Sequence, residues 1–206
     1  MLSYPSALLV SLIAFLILAM RNLRDFRVPR RQFPDSAPLV SVCLPVRNEE
    51  ANIEACLRGI MGQAYQNLEI LVLDDGSDDR TPEIVRALSS EDSRIRLIHA
   101  QAIQPGWAGK CHACAQAAAH AQGDYVLFMD ADTRANSELI GSALAEAEET
   151  GADLTTGFPE QLTGSISEQL VLPMLHFLVL TLLPVRKVWE DPRPAFCAAC
   201  GQFLLF

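Results

Sequence analysis

Between Leu39 and Phe158 the chain alternates short apolar runs with stretches at helical spacing, and that alternation admits few folds. Leu39 to Pro45, Leu68 to Leu73, Ile95 to His99 and Tyr125 to Met129 have the length and composition of buried strands, and Leu154 to Phe158 is a candidate fifth. Ile53, Cys56, Leu57, Ile60 and Met61 recur at helical spacing, with Asn48 or Asn52 as the expected cap. Thr81-Pro82 opens the next helix, with cap and proline in favoured positions and Ile84, Val85 and Leu88 on its apolar face. Lys110 to Ala121 is alanine-rich, and Ser137 to Glu149 repeats Ile140, Leu144 and Ala147. Strands alternating with helices predict an α/β fold, a mostly parallel, Rossmann-like sheet with helices on both faces.

All strands of a parallel sheet end on the same edge, so the loops after them share one cleft. Those loops are polar. Pro45-Val46-Arg47-Asn48-Glu49-Glu50 follows the first strand, Asp74-Asp75-Gly76-Ser77-Asp78-Asp79 the second and Asp130-Ala131-Asp132 the fourth. Paired aspartates suit a hard divalent cation that keeps ligand positions open for phosphate oxygens. Gly106-Trp107-Ala108-Gly109-Lys110 precedes the alanine-rich helix, where backbone N–H groups and the Lys110 ammonium can meet an anion. So many acids would repel a bare phosphate, and a divalent cation would reverse the sign of the local field. No Walker pattern is present, and the loop from Asp74 lacks the closing glutamate of a calcium-binding loop. Turn residues and solvated caps are the alternative reading of these acids.

The first twenty residues carry no charged side chain, and as a helix they would cover about 30 Å, the thickness of the hydrocarbon core. Arg21, Arg24, Arg27, Arg30 and Arg31 follow, which places the C-terminal side in the cytoplasm. Basic charge does not precede the apolar run and no small-x-small site follows it, so an uncleaved anchor is expected rather than a signal peptide. The expected organisation is an anchor at 1–21, a basic, proline-containing linker at 22–38 and a globular domain at 39–206. Within that domain the apolar stretch 170–185 is short for a span and interrupted by Pro173 and Pro184. It suits a segment lying in the membrane interface, with a buried core helix as the alternative. A net charge of −9 argues against nucleic acid as a partner. Cys111/Cys114 and Cys197/Cys200 have C-x-x-C spacing, yet the first pair falls inside a helix and neither has knuckle glycines. Small packed side chains are expected there rather than zinc.

Together, Val40-Ser41-Val42, Pro45-Val46-Arg47-Asn48-Glu49, Asp74 to Asp79 and Asp130-Ala131-Asp132 resemble the family 2 glycosyltransferases of GT-A fold. The likeness runs from about Leu39 to Phe206. Gly106 to Lys110 and Cys200-Gly201-Gln202-Phe203-Leu204-Leu205-Phe206 are similar to the membrane-associated branch that glycosylates carotenoids, hopanoids or ceramide. The resemblance implies a UDP- or GDP-sugar donor, a lipid acceptor, Mg²⁺ or Mn²⁺, and transfer with inversion. It implies that the Pro45 turn and Asp75, with Asp74 beside it, hold the base and ribose, that Arg47 and Glu49 also belong to the donor-binding set, that Lys110 approaches the diphosphate, and that Asp130 and Asp132 face the metal and the sugar diphosphate, Asp132 as the more direct metal ligand.

The same family places its acidic catalytic base beyond the Gly-Gln-Phe region, whereas this sequence ends at Phe206 and Glu190-Asp191 lies ahead of that region. The chain is therefore expected to be a fragment or truncated product that retains donor binding better than transfer. A catalytically silent nucleotide-sugar-binding module and a cysteine-bound zinc scaffold at the membrane are the alternatives.

Overall fold

The structure is a computed structural model, and it describes residues 3–26, 33–34, 36–191 and 193–206. Arg27, Arg30, Arg31 and most of the expected linker's basic half lie outside the described residues. The chain divides into two compact units, residues up to 28 with 160–198, and residues 29–159 with 199–206.

The larger unit is built on six strands, β1 (Val40–Val46), β2 (Leu68–Asp74), β3 (Ile95–His99), β4 (Tyr125–Met129), β5 (Thr155–Thr156) and β6 (Phe203–Leu205). They lie in the order β3-β2-β1-β4-β6-β5. The first four are mutually parallel, with Val40 opposite both Leu68 and Tyr125, while β6 runs antiparallel to β4 and β5. β1 and β2 are buried almost throughout because both faces are covered, which is why they read as continuous apolar runs.

On one face Val40, Val42, Leu44 and Val46 pack against three helices, α2 (Ile53–Met61), α3 (Thr81–Glu91) and α5 (Leu139–Thr150). These present Ile53, Leu57 and Ile60, then Val85 and Leu88, then Ile140 and Leu144. On the other face Cys43, Leu71 and Leu73 meet Ala113 and Ala117 of α4 (Gly109–Ala119), whose small side chains let the helix lie close to the sheet. Gln63 ties the end of α2 to the start of α5. Its side-chain amide donates to the carbonyls of Gly59 and Asn136, and its oxygen accepts the buried Ile140 N–H. That bond satisfies one of the amides a helix leaves open at its first turn.

Several local expectations change. Asn52 occupies the cap position of α2 without a side-chain cap bond, and Arg80 rather than Thr81 precedes α3. The candidate fifth strand is two residues long, and its partner β6 had no strand signal in so short a run. Residues 160–198, within the expected 39–206 domain, cluster with α1 (Tyr4–Asp25).

The smaller unit holds α1, α6 (Ile166–Leu182) and α7 (Val185–Glu190). Ser165 and Glu168 form a reciprocal capping box at the start of α6, and Pro173 lies inside the helix. The buried Asn22 of α1 donates to the Leu180 and Leu183 carbonyls and accepts the Val185 N–H. One side chain thus satisfies the backbone at the α6–α7 corner, and the sequence carried no signal for it. α1 is long and apolar enough to cross a membrane, and both α1 and α6 expose most of their large apolar side chains.

One tight approach of backbone to backbone in the larger unit is at Gly123, just before β4. A β-carbon there would lie 2.6 Å from the Leu39 carbonyl oxygen and 2.7 Å from the Ser41 nitrogen. The Gly123 N–H donates to the Ser41 hydroxyl, which in turn donates to Glu69. Gly123→Ala is expected to destabilise this unit by about 1–3 kcal/mol, the usual cost of overpacking. A lowered denaturant midpoint with an unchanged slope checks this.

Candidate functional site

The sheet reverses its winding at β1. The chain runs outward from β1 to β2 and β3, then crosses back to lay β4 on the other side of β1. Such a reversal opens a crevice beyond the strand ends. A cleft of about 380 Å³ lies there, lined by Pro45, Val46, Arg47, Glu49, Asp75, Gly109, Lys110, Ala113, Asp130, Ala131 and Asp132. Seven of the eight residues singled out from the sequence border this one space. Asp75 and Asp132, on loops from different strands, open onto the same cleft.

Asp74 is the exception. Its carboxylate is buried, accepts the Ser77 N–H through Oδ1 at 3.0 Å and faces Nδ1 of His99 at 3.3 Å through Oδ2. It shapes the turn that carries Asp75 and does not line the cleft. The register explains this, since Asp74 is still within β2, paired with Val46 on one side and His99 on the other.

The loops after β1 and β2 are laced together. Asn48, in the left-handed region at φ 56°, donates its N–H to the Ser77 hydroxyl and accepts the Asp78 N–H at its side-chain oxygen. The Glu49 N–H donates to the Thr81 hydroxyl, the Glu50 N–H to Asp79, and the Arg80 N–H to Glu50. Asp79 also accepts the Thr81 N–H. Asn48, Glu50, Asp78 and Asp79 therefore build a rigid wall, while Arg47, Glu49 and Asp75 face the space it encloses. The sequence showed these residues as one polar cluster, and the division of labour within it emerges from the fold.

Asp130 is held from behind. Its N–H donates to the Gln202 carbonyl at 3.3 Å, just ahead of β6, and its carbonyl accepts the N–H and hydroxyl of Thr133. Its Oδ1 lies 2.7 Å from Nζ of Lys110, the second residue of α4. Partial burial works against the Lys110 charge, but the hydrogen bond and charge of Asp130, with Cys114 and Asp132 adding, carry its pKa above the ordinary lysine value. The exposed Asp132 carboxylate makes no hydrogen bond or ion pair with another described residue. Behind this loop the Cys56 thiol is pushed by burial up to about 12, so it stays protonated.

Among the described residues no group of three or more His, Cys, Asp or Glu side chains is placed to share a metal ion. The C-x-x-C pairs thus supply no such cluster; Cys111 and Cys114 lie one turn apart on α4, and the cysteines are free. The cleft instead offers Asp130 and Asp132 as hard oxygen donors. That donor set fits Mg²⁺ or Mn²⁺ completed by oxygens of a bound ligand, and it does not fit zinc.

A family model described as glycosyl transferase family 2 matches residues 41–168, more than half of the chain. The chain belongs to glycosyl transferase family 2. Glycosyltransferase GlyG of Streptococcus pneumoniae is 32% identical over 119 residues, 58% of this chain and 38% of that protein. The 4,4'-diaponeurosporenoate glycosyltransferase of Staphylococcus haemolyticus is 32% identical over 108 residues, 52% of this chain and 28% of that protein. The chain thus spans well under half the length of these relatives. Mannosyltransferase PcManGT from Pyrobaculum calidifontis, solved with GDP-Man and Mn²⁺, superposes with a TM-score of 0.67 at 24% identity, covering 96% of this chain and 53% of that one. The fold is GT-A, a mostly parallel sheet with helices around it, in a chain with an N-terminal apolar helix.

Asp79 sets the chemistry of the wall. Slight desolvation works against its charge, but bonds from the side chain and backbone of Thr81 and from the Glu50 N–H hold its pKa below the ordinary carboxyl value. A lowered folded-state pKa contributes stability above the unfolded-state value, about 3.9, that is lost as pH falls through the folded value. The amides of Glu50 and Thr81 are expected to lose hydrogen-exchange protection over that acid range. At neutral pH Asp79→Ala should lower their protection at least ~10-fold while leaving the β1–β2 core amides protected.

Proposed function

We propose that the larger unit binds a nucleotide-sugar donor together with Mg²⁺ or Mn²⁺, and that the enzyme to which it belongs transfers the sugar to a lipid-type acceptor with inversion. The observation that carries this reading is the convergence of Asp75, Asp130, Asp132 and Lys110 on one cleft at the winding reversal of the sheet. Family membership supplies the reaction class.

In this reading Pro45, Arg47, Glu49 and Asp75 hold the nucleoside against the laced wall. Asp132, with Asp130 beside it, holds the cation. A divalent ion there supplies Lewis-acid neutralisation of the departing nucleoside diphosphate. Lys110 and the first amides of α4, which has no side-chain cap, face the same phosphates. Gln202 and Thr133 keep the Asp130 backbone in place, so little reorganisation accompanies the reaction.

The lipid side rests on other observations. α1 is 22 residues long and carries no charge before Arg21, and α6 exposes Leu170, Val171, Met174, Leu175, Phe177, Leu178 and Leu182. The Staphylococcus haemolyticus relative is named for a carotenoid acid, and a Campylobacter jejuni relative, 28% identical over 132 residues, is named as a GalNAc(5)-diNAcBac-PP-undecaprenol beta-1,3-glucosyltransferase. We read α1 as a single-pass anchor whose arginine-rich C-terminal side faces the cytoplasm with the larger unit, and α6 as lying against the bilayer surface.

UDP or GDP binding to the chain is expected to require Mn²⁺ or Mg²⁺, and in the intact enzyme Asp132→Asn should lower sugar transfer at least ~100-fold, the scale of losing one preorganised charge contact. Titration calorimetry with and without EDTA, beside a radiolabelled-sugar transfer assay, checks both parts. Nucleotide binding indifferent to both EDTA and the substitution would contradict the reading.

A further inference from the structure

Two features of the cleft are in tension. A cation shared by Asp130 and Asp132 needs carboxylate oxygens, yet the Lys110 ammonium already lies 2.7 Å from Asp130 Oδ1. A lysine ammonium and a divalent cation on the same carboxylate repel each other. Asp132, two residues away, is exposed and has no ion-pair partner among the described residues. The competition therefore falls on Asp130.

Lys110 is the less constrained partner of the pair. Its side chain is 60% exposed, against 24% for Asp130. It stands at the start of α4, where Gly109 precedes it and no side chain caps the helix. Asp130, in contrast, is fixed through its backbone to Gln202 and Thr133.

We propose that Lys110 is an exchangeable counter-ion. It neutralises Asp130 while the cleft is empty, and it transfers to the diphosphate when a nucleoside diphosphate enters with its cation. This inference rests on the donor reading above and adds a positioning role that makes the two ligands interdependent. Cation alone must displace the ammonium with nothing to receive it. Cation and diphosphate together give Asp130 a new partner and Lys110 a new one, so each favours the other's binding.

Removing the ammonium should then push two affinities in opposite directions, which the loss of a merely structural contact would not do. For the full chain in detergent, Lys110→Met is expected to tighten binding of Mn²⁺ alone by roughly 5-fold, and to weaken UDP or GDP binding at saturating Mn²⁺ by at least ~10-fold. Electron paramagnetic resonance of free Mn²⁺ reads the first quantity, and calorimetry with each nucleotide reads the second. Lys110→Gln should repeat both shifts, with an unchanged thermal midpoint in either variant. Affinities that move in the same direction, or Mn²⁺ affinity that does not change, would overturn the exchange while leaving the donor reading intact. A wild-type chain that takes up neither nucleotide with Mn²⁺ would overturn the donor reading and the exchange together.

Discussion

The structure of the larger unit depends on β1 lying between two parallel neighbours. With Val40 opposite Leu68 on one side and Tyr125 on the other, the carboxyl ends of β1, β2 and β4 reach the same edge of the sheet within a residue or two. A slip of one residue would turn every side chain on a strand to the opposite face and would break both cores at once. The hydrophobic alternation of Val42, Cys43 and Leu44 between the two covered faces therefore fixes where Arg47, Asp75 and Asp130 stand. Packing sets the register, and the register sets the site.

Charge is arranged around that geometry in two layers. The carboxylates of Asp74, Asp79 and Glu50 are committed to backbone amides and, for Asp74, to His99, so they shape loops, and the Asp78 N–H is held by the Asn48 side chain. Asn48 contributes the positive backbone angle that lets two loops cross and bond. In front of this layer Asp75, Asp130 and Asp132 face the cleft, where the basic lining groups are Arg47 and Lys110. An acidic pocket of this kind disfavours an anionic ligand by itself and favours one that arrives with a cation.

Much of this was legible in the sequence because the relevant signals are local. β1 to β4 are short continuous apolar runs, and α2 and α3 repeat apolar residues every three or four positions, so period alone located them. Parallel topology then placed the loop clusters together without any knowledge of side-chain positions. What was not legible depends on contacts between residues far apart in the chain. β6 is three residues long and is defined by pairing with β4 some 75 residues earlier. Asp74 and Asp75 look alike in sequence and differ because one is the last residue of a strand and the other the first beyond it. Residues 160–198 group with α1, and Asn22, near the end of that helix, bonds carbonyl and amide partners about 160 positions away.

In the proposed donor site, aspartates from separate strands gather around a divalent cation that admits a nucleoside diphosphate. Paramagnetic broadening by Mn²⁺ in the presence of UDP or GDP reads this location directly on isotope-labelled chain. Backbone signals of Asp130, Ala131 and Asp132 are expected to broaden first, followed by Asp75, Gly109 and Lys110, with β3 and the start of β2 spared. Broadening centred elsewhere on the chain, with the Asp130–Asp132 signals still sharp, would contradict it.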